Sequence, residues 1–403
     1  MRKLHNDFPI FNQKVNGKPL IYFDNAATSQ KPQQVIDAIV SFYTKHNNNI
    51  HRSVYSAGEQ TTMLYEQARA KVAQFINAQP DEIIFTKGTT ESINFIATAW
   101  GINTLQQNDE ILISQLEHHS NIIPWQQCVK IRNANLKYIP LLSDGTLDLD
   151  QLPTLLSQRT KLVALTHVSN ALGTTVDIQT IIKAAHRHGS LVLIDAAQSA
   201  PHQKIDVKQL ECDFLAFSGH KMLGPTGIGV LYIKKELHDH IPPYQYGGGM
   251  IYETDYQTAT WQKAPHKFEA GTPPIAQAIG LGAAIDYLHE YVDFGALQKH
   301  EAQLCAQLID GLSENKKVRI LGPVDQLKNH GHLVSFIIDG MHAHDVAMHL
   351  SNYGICVRAG NHCAQPLAKN LGITASVRVS FYIYNTAKEV ENFLKAIRLL
   401  TVK

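Results

Sequence analysis

The chain of 403 residues has few cysteines, little charge bias and no long apolar run, and each shortage removes a class of protein. Its five cysteines, Cys128, Cys212, Cys305, Cys356 and Cys363, are scattered and form no Cys-x-x-Cys pair, which argues against a disulfide framework and for reduced thiols. A net charge of +1 leaves no basic excess to follow a nucleic acid backbone or an anionic membrane, so neither partner is expected. No stretch of about 18 apolar residues could span a bilayer, and Met1-Arg2-Lys3 is not followed by a signal-peptide core. A cytoplasmic location is the expectation. With 44% apolar and 18% charged residues, the chain can bury a large core in two or more structural units.

What the sequence does contain is an alternation of short apolar runs and helical patterns. Strands are predicted at 82–86, 110–114, 136–141, 161–168, 190–195, 213–217 and 227–233. Helical spacing lies between them, at 88–100 and 178–188, which argues for an α/β fold built on a mainly parallel sheet with helices on both faces. Beyond Pro265 the pattern changes to helices at 276–288 and 301–312, strands at 332–338, 355–358 and 377–381, and a closing helix at 386–400. The expected organisation is a large domain over 21–264 and a smaller α+β domain formed by 1–20 and 265–403.

Several of these elements carry chemistry. Asp195 ends the apolar run Leu191-Val192-Leu193-Ile194, and Lys221 follows 26 residues later in Ser218-Gly219-His220-Lys221. A strand's C-terminal edge is where open α/β sheets bind ligands. A lysine that holds an aldehyde as a Schiff base, with an acid that keeps a pyridine nitrogen protonated, is the requirement of pyridoxal phosphate. Gln198 could donate to the ring oxygen. Taken singly, Lys221 could be a solvated loop residue and Asp195 a helix cap. Gly88-Thr89-Thr90, between a strand and a helix, offers amides and a hydroxyl for a phosphate, or simply a threonine cap. Ser218 and His220 could supply the remaining phosphate contacts.

Glu117-His118-His119 follows another strand, so one imidazole could stack on the pyridine ring. Among 21 histidines most are surface or hydrogen-bonded residues, and the histidines here lack metal-ligand spacing, so no metal is expected. In Arg358-Ala359-Gly360-Asn361-His362-Cys363, Gly360 and Pro366 bracket a loop cysteine whose thiolate Arg358 or a protonated His362 would favour. A buried structural thiol is the alternative, and it suits Cys356 better. Arg378 interrupts a strand-like run and could clamp a carboxylate with its planar fork, or face solvent.

These motifs, with Phe23-Asp24-Asn25-Ala26-Ala27-Thr28, Thr166-His167-Val168-Ser169-Asn170 and Phe268-Glu269-Ala270-Gly271-Thr272-Pro273, give the chain an end-to-end resemblance to the group II cysteine desulfurases of the SufS and CsdA type. That group belongs to the class V aminotransferases, which are fold-type I pyridoxal phosphate enzymes. The resemblance implies that Lys221 is the Schiff base and proton shuttle and that His118 stacks on the ring as an acid/base. Asp195 would pair with the pyridine nitrogen, and Gln198 with the ring oxygen. Thr89, Ser218 and His220 would hold the phosphate, and Thr272 would reach the phosphate of a neighbouring subunit in a homodimer. Asn170 and Arg378 would orient L-cysteine, with Arg358 near the thiol, and Cys363 would accept the sulfur as a persulfide. A SufE-like or SufU-like acceptor, iron-sulfur cluster assembly and a selenocysteine lyase side activity are further implications. Two departures stand out, Asn361-His362 before the cysteine and Ser53 after His51-Arg52. A transaminase or kynureninase-like lyase of the same superfamily would need no cysteine nucleophile. A thiol or metal carrier using His362 and Cys363 would need no cofactor.

Overall fold

A computed structural model describes residues 4–401. Seven strands form the main sheet: β1 (Ile83–Thr86), β2 (Glu110–Ser114), β3 (Asn135–Ile139), β4 (Thr160–Thr166), β5 (Leu191–Asp195), β6 (Phe214–Ser218) and β7 (Gly229–Ile233). Their order across the sheet is β1-β7-β6-β5-β4-β2-β3. Pairing is parallel from β6 through β3, whereas β7 runs antiparallel to both β1 and β6. Six strands therefore point the same way, and the fold is the fold-type I architecture that the sequence leads one to expect.

The interior strands are apolar through their middles, with polar residues at their ends, because both sheet faces are covered. Successive residues of β5 show this. Val192 and Ile194 join one core, with Val35, Val72, Ile181 and Leu281 from four helices, while Leu193 joins the opposite core with Ile93 and Trp125. The result is a three-layer unit whose strand ends are the free edges.

A second sheet of β8 (Val318–Leu321), β9 (Leu333–Ile338), β10 (Arg358–Gly360) and β11 (Ser376–Ser380) has the order β8-β9-β11-β10 and is antiparallel throughout. Its core includes Leu308, Val346 and Phe393 from three helices. Ile21 and Phe23 are buried in this small core, and Ile21–Tyr22 pairs in parallel with Ile355–Cys356. The helix Ile275–Tyr291 packs instead in the large unit, where Gly280 faces Ile39 and Pro225 and Gly282 faces Ala68.

Two elements differ from the sequence pattern. The apolar run predicted as one strand over 355–358 changes partner at Val357, so Ile355–Cys356 follows the N-terminal strand and Arg358–Gly360 joins the small sheet. The predicted helix 88–100 begins at Thr89 but widens to a π turn over Ala97–Gly101, beside Cys128, whose sulfur would lie 2.6 Å from a Cβ at Gly101. No helix among the described residues is long and apolar enough to cross a membrane.

Candidate active site

Five strand ends converge on one cavity of about 350 Å³. Thr89 follows β1, His118 follows β2, Asn170 follows β4, Asp195 ends β5 with Gln198 just beyond it, and Ser218 ends β6 with His220 and Lys221 just beyond it. The small sheet closes the cavity with Arg358, His362, Cys363 and Arg378. Every site residue named from the sequence lines it except Thr272, which lines a separate cavity of about 550 Å³ with His51 and Arg52.

The floor is shaped for an anion. Thr89 Oγ1 and Ser218 Oγ are 2.8 Å apart, and the Thr89 amide, first in the helix Thr89–Ile96, donates to Ser218 Oγ at 2.9 Å. Gly88 has φ +154°, and a Cβ there would stand 3.2 Å from Ser218 Oγ, so glycine keeps the cradle open. Beside it, burial pulls the Lys221 ammonium down to about 8, against the pull of Asp195 and with the repulsion of Arg378. Burial raises Asp195, whose Oδ1 accepts from the Ala197 amide at 2.9 Å. A half-buried amine near a buried carboxylate, over a cup of hydroxyl and amide donors, fits the aldehyde, ring nitrogen and phosphate of pyridoxal phosphate.

His118 is neutral, because burial first and Lys221 second push it down to about 4. Its Nδ1 accepts from the Ser120 amide at 3.0 Å, which places the ring proton on Nε2. Gln198 Nε2 donates to Ala26 O at 2.7 Å, so the amide is oriented by the N-terminal segment. Burial also drives His220 down to about 4, and its carbonyl accepts from Thr28, Ser29 and Lys31.

The thiol is presented differently. Cys363 is the exposed member of the five cysteines; Cys128, Cys212 and Cys305 are buried, and Cys356 is half-buried and outside the cavity. His362 and Cys363 both adopt left-handed backbone conformations, φ 51° and 54°, which side chains resist. Asn170 Nδ2 donates to His362 O at 2.5 Å, and the Ala364 amide to Asn361 O at 2.9 Å. The expectation of a protonated His362 is corrected. Burial, with Arg378 and Arg358 nearby, holds that ring down to about 3, and Ser376 Oγ lies 2.9 Å from its Nε2. Positive charge here belongs to the two arginines.

Arg378 is 3% exposed, donates from Nη1 to Asn170 O at 2.8 Å, and has no partner for its Nε. An unmet buried donor is costly, and a carboxylate would satisfy it. Asp24 lies between Arg378 Nη2 at 3.3 Å and Arg358 Nε at 3.2 Å.

Similarity to known proteins agrees with this arrangement. Residues 21–393 match the class V aminotransferase family. The chain belongs to that family. A probable cysteine desulfurase of Halalkalibacterium halodurans is 50% identical over 391 residues, covering 97% of this chain and 95% of the relative. The apo cysteine desulfurase of Thermococcus onnurineus NA1 superposes with a TM-score of 0.94 at 41% identity, covering 99% of this chain and 98% of that one. The S-sulfonic acid form of the Escherichia coli cysteine desulfurase CsdA gives 0.90 at 39%, over 98% and 97%. This class V chain is thus an enzyme of the cysteine desulfurase group, and pyridoxal phosphate is its cofactor.

Asp24, although it stands in a motif of the resemblance, carried no expected role, and neither did Glu117 or Thr166. Glu117 is buried, held by Ser114 and by Asn121 Nδ2 at 2.7 Å, and burial raises it to about 8. It anchors the turn that carries His118. Its position one residue before the histidine pair was the available signal.

Proposed function

We propose that this enzyme converts L-cysteine to L-alanine by moving the substrate sulfur onto Cys363 as a persulfide. The observation that carries the reading is that an exposed cysteine opens onto the cavity that also holds a half-buried lysine and a buried, partly unpaired arginine. Arg378 receives the substrate carboxylate on its Nε edge, and Asn170, whose own carbonyl steadies Arg378, borders the same space. Thr89, Ser218 and His220 would hold the cofactor phosphate, Asp195 would pair with the ring nitrogen and Gln198 with the ring oxygen, and His118 would stack on the ring. When bound, the cofactor supplies the electron sink that labilises the substrate α-proton and weakens the carbon to sulfur bond.

Lys221 takes that proton on Nζ, since an amine near pKa 8 can both accept and return one at neutral pH. The Cys363 thiolate attacks the substrate sulfur, so a sulfur to sulfur bond forms as the β-carbon to sulfur bond breaks. The released electron pair and a proton complete the methyl group of alanine. Arg358 and Arg378 supply positive charge beside the thiol.

Thr272 is displaced from this cavity, which supports a role at the phosphate of a second subunit in a homodimer. An acceptor protein of the SufE-like or SufU-like kind would take the persulfide sulfur for iron-sulfur cluster assembly in the cytoplasm. Selenocysteine would serve as an alternative substrate, its selenium leaving more readily than sulfur.

Holoenzyme mixed with one equivalent of L-cysteine and digested should yield a Cys363 peptide heavier by one sulfur atom, with matching alanine. Alanine formed while Cys363 gains no sulfur would overturn the reading.

A further inference from the structure

The two histidines after Glu117 divide their work. His118 lines the cavity, whereas His119 faces the Cys363 loop. The His119 amide donates to Cys363 O at 2.7 Å, and His119 Nε2 accepts from the Gln365 amide at 2.9 Å. These two bonds sit on either side of Ala364 and close the loop immediately after its two left-handed residues, His362 and Cys363. Gln365 also begins the short helix Gln365–Asn370, where its amide has no carbonyl within the helix to meet, and Pro366 offers no amide at the next position. The imidazole supplies the missing acceptor. Burial lowers His119 from the ordinary histidine range, which keeps Nε2 free to accept.

We propose that His119 is a positioning residue whose ring fixes the Cys363 loop relative to the cavity, so that a single dipeptide, His118-His119, registers the thiol against the cofactor site. This rests on Cys363 being the sulfur acceptor. A thiol carried on two strained residues would otherwise sample several loop shapes, and only one presents sulfur to the substrate. One peptide unit separates the ring that covers the cofactor from the ring that clamps the loop, so the spacing of the two sites is set by covalent geometry.

The test compares holoenzyme with His119→Ala and His119→Gln, because glutamine places an acceptor oxygen at a similar reach. Hydrogen exchange at the Gln365 amide reads the clamp without any turnover. Steady-state alanine formation reads its consequence, and the cofactor absorbance band reports whether the His118 side is undisturbed. His119→Ala should speed Gln365 exchange and lower kcat roughly tenfold, the worth of one hydrogen bond, with KM for L-cysteine and the absorbance band unchanged. His119→Gln should recover most of both losses. Wild-type exchange at Gln365 in His119→Ala, or a glutamine variant as impaired as the alanine variant, would overturn the positioning role. Failure of the underlying reading would show separately, as persistent turnover in Cys363→Ala with the Gln365 exchange pattern intact.

Discussion

Replacing Asp195 by asparagine isolates the electrostatics of Lys221. Burial lowers the ammonium to about 8, and Asp195 is the leading influence that resists the fall. At pH 7 a lysine of pKa about 8 is about one-tenth neutral, whereas at the usual value of about 10.5 it would be about 0.03% neutral, a difference of roughly 300-fold. Only the neutral amine captures an aldehyde. Apoenzyme mixed with pyridoxal phosphate should therefore capture it at a rate that climbs with pH and levels off above an inflection near 8, followed by growth of the visible absorbance band. Asparagine keeps an oxygen for the Ala197 amide but removes the charge, so the inflection should move below 8 and capture at pH 7 should quicken. An inflection near 10 in the wild type, or an upward move in Asp195→Asn, would refute the reasoning.

Other perturbations test separate parts of the site and fold. Arg378→Lys replaces a planar fork by a point donor and should raise KM for L-cysteine by about 10- to 100-fold, on the scale of a charged hydrogen bond; an unchanged KM would place the carboxylate elsewhere. Glu269→Gln should cost about 3 kcal/mol in urea unfolding, the lower end for stranding a buried ion. Glu269 meets the buried Arg69 at 2.7 and 2.8 Å and also accepts from the Phe85 amide, while Glu66 still pairs with Arg69 after the change. A loss below about 1 kcal/mol would show that the pair is not needed. His332, stacked on His202 at 3.8 Å, is buried and held well below its usual value by burial, with His202 and Arg378 adding repulsion. The unfolded chain binds that proton first, so the stability it supports is complete well above pH 6.5 and declines as pH falls through it, with a slope that approaches about 1.4 kcal/mol per pH unit near pH 5. His332→Phe keeps the stack and should remove that slope from unfolding free energies measured between pH 6.5 and 5.

Much of the large sheet was legible because strands covered on both faces leave uninterrupted apolar runs, as in Leu191 to Ile194. The same runs end at the site, which is why Asp195, Lys221 and the turns Gly88-Thr89-Thr90 and His118-His119 could be picked out from their order, while the family resemblance singled out Thr89 and His118. The 20-residue helix Ser56–Phe75 was not legible. Its inward face is Tyr65, Ala68, Arg69 and Val72, and a buried arginine paired with Glu269, some 200 residues away, breaks the apolar stripe. Burial likewise decided the charge of His362, which its loop sequence of small and polar residues gave no means to judge. Asp24 joins two arginines of the small sheet to the N-terminal segment, a contact visible only after folding. Glu269 had appeared in the sequence as one letter of a family motif, and the fold gives it a structural task beside Thr272.

The central claim is that the exposed thiol of Cys363 takes the sulfur. Alanine production from L-cysteine by Cys363→Ala holoenzyme, with a reductant present, tests it most directly. The rate should fall by at least about a hundredfold, since a nucleophile has been deleted, while the cofactor absorbance band stays as in the wild type. Alanine formed at the wild-type rate would contradict it.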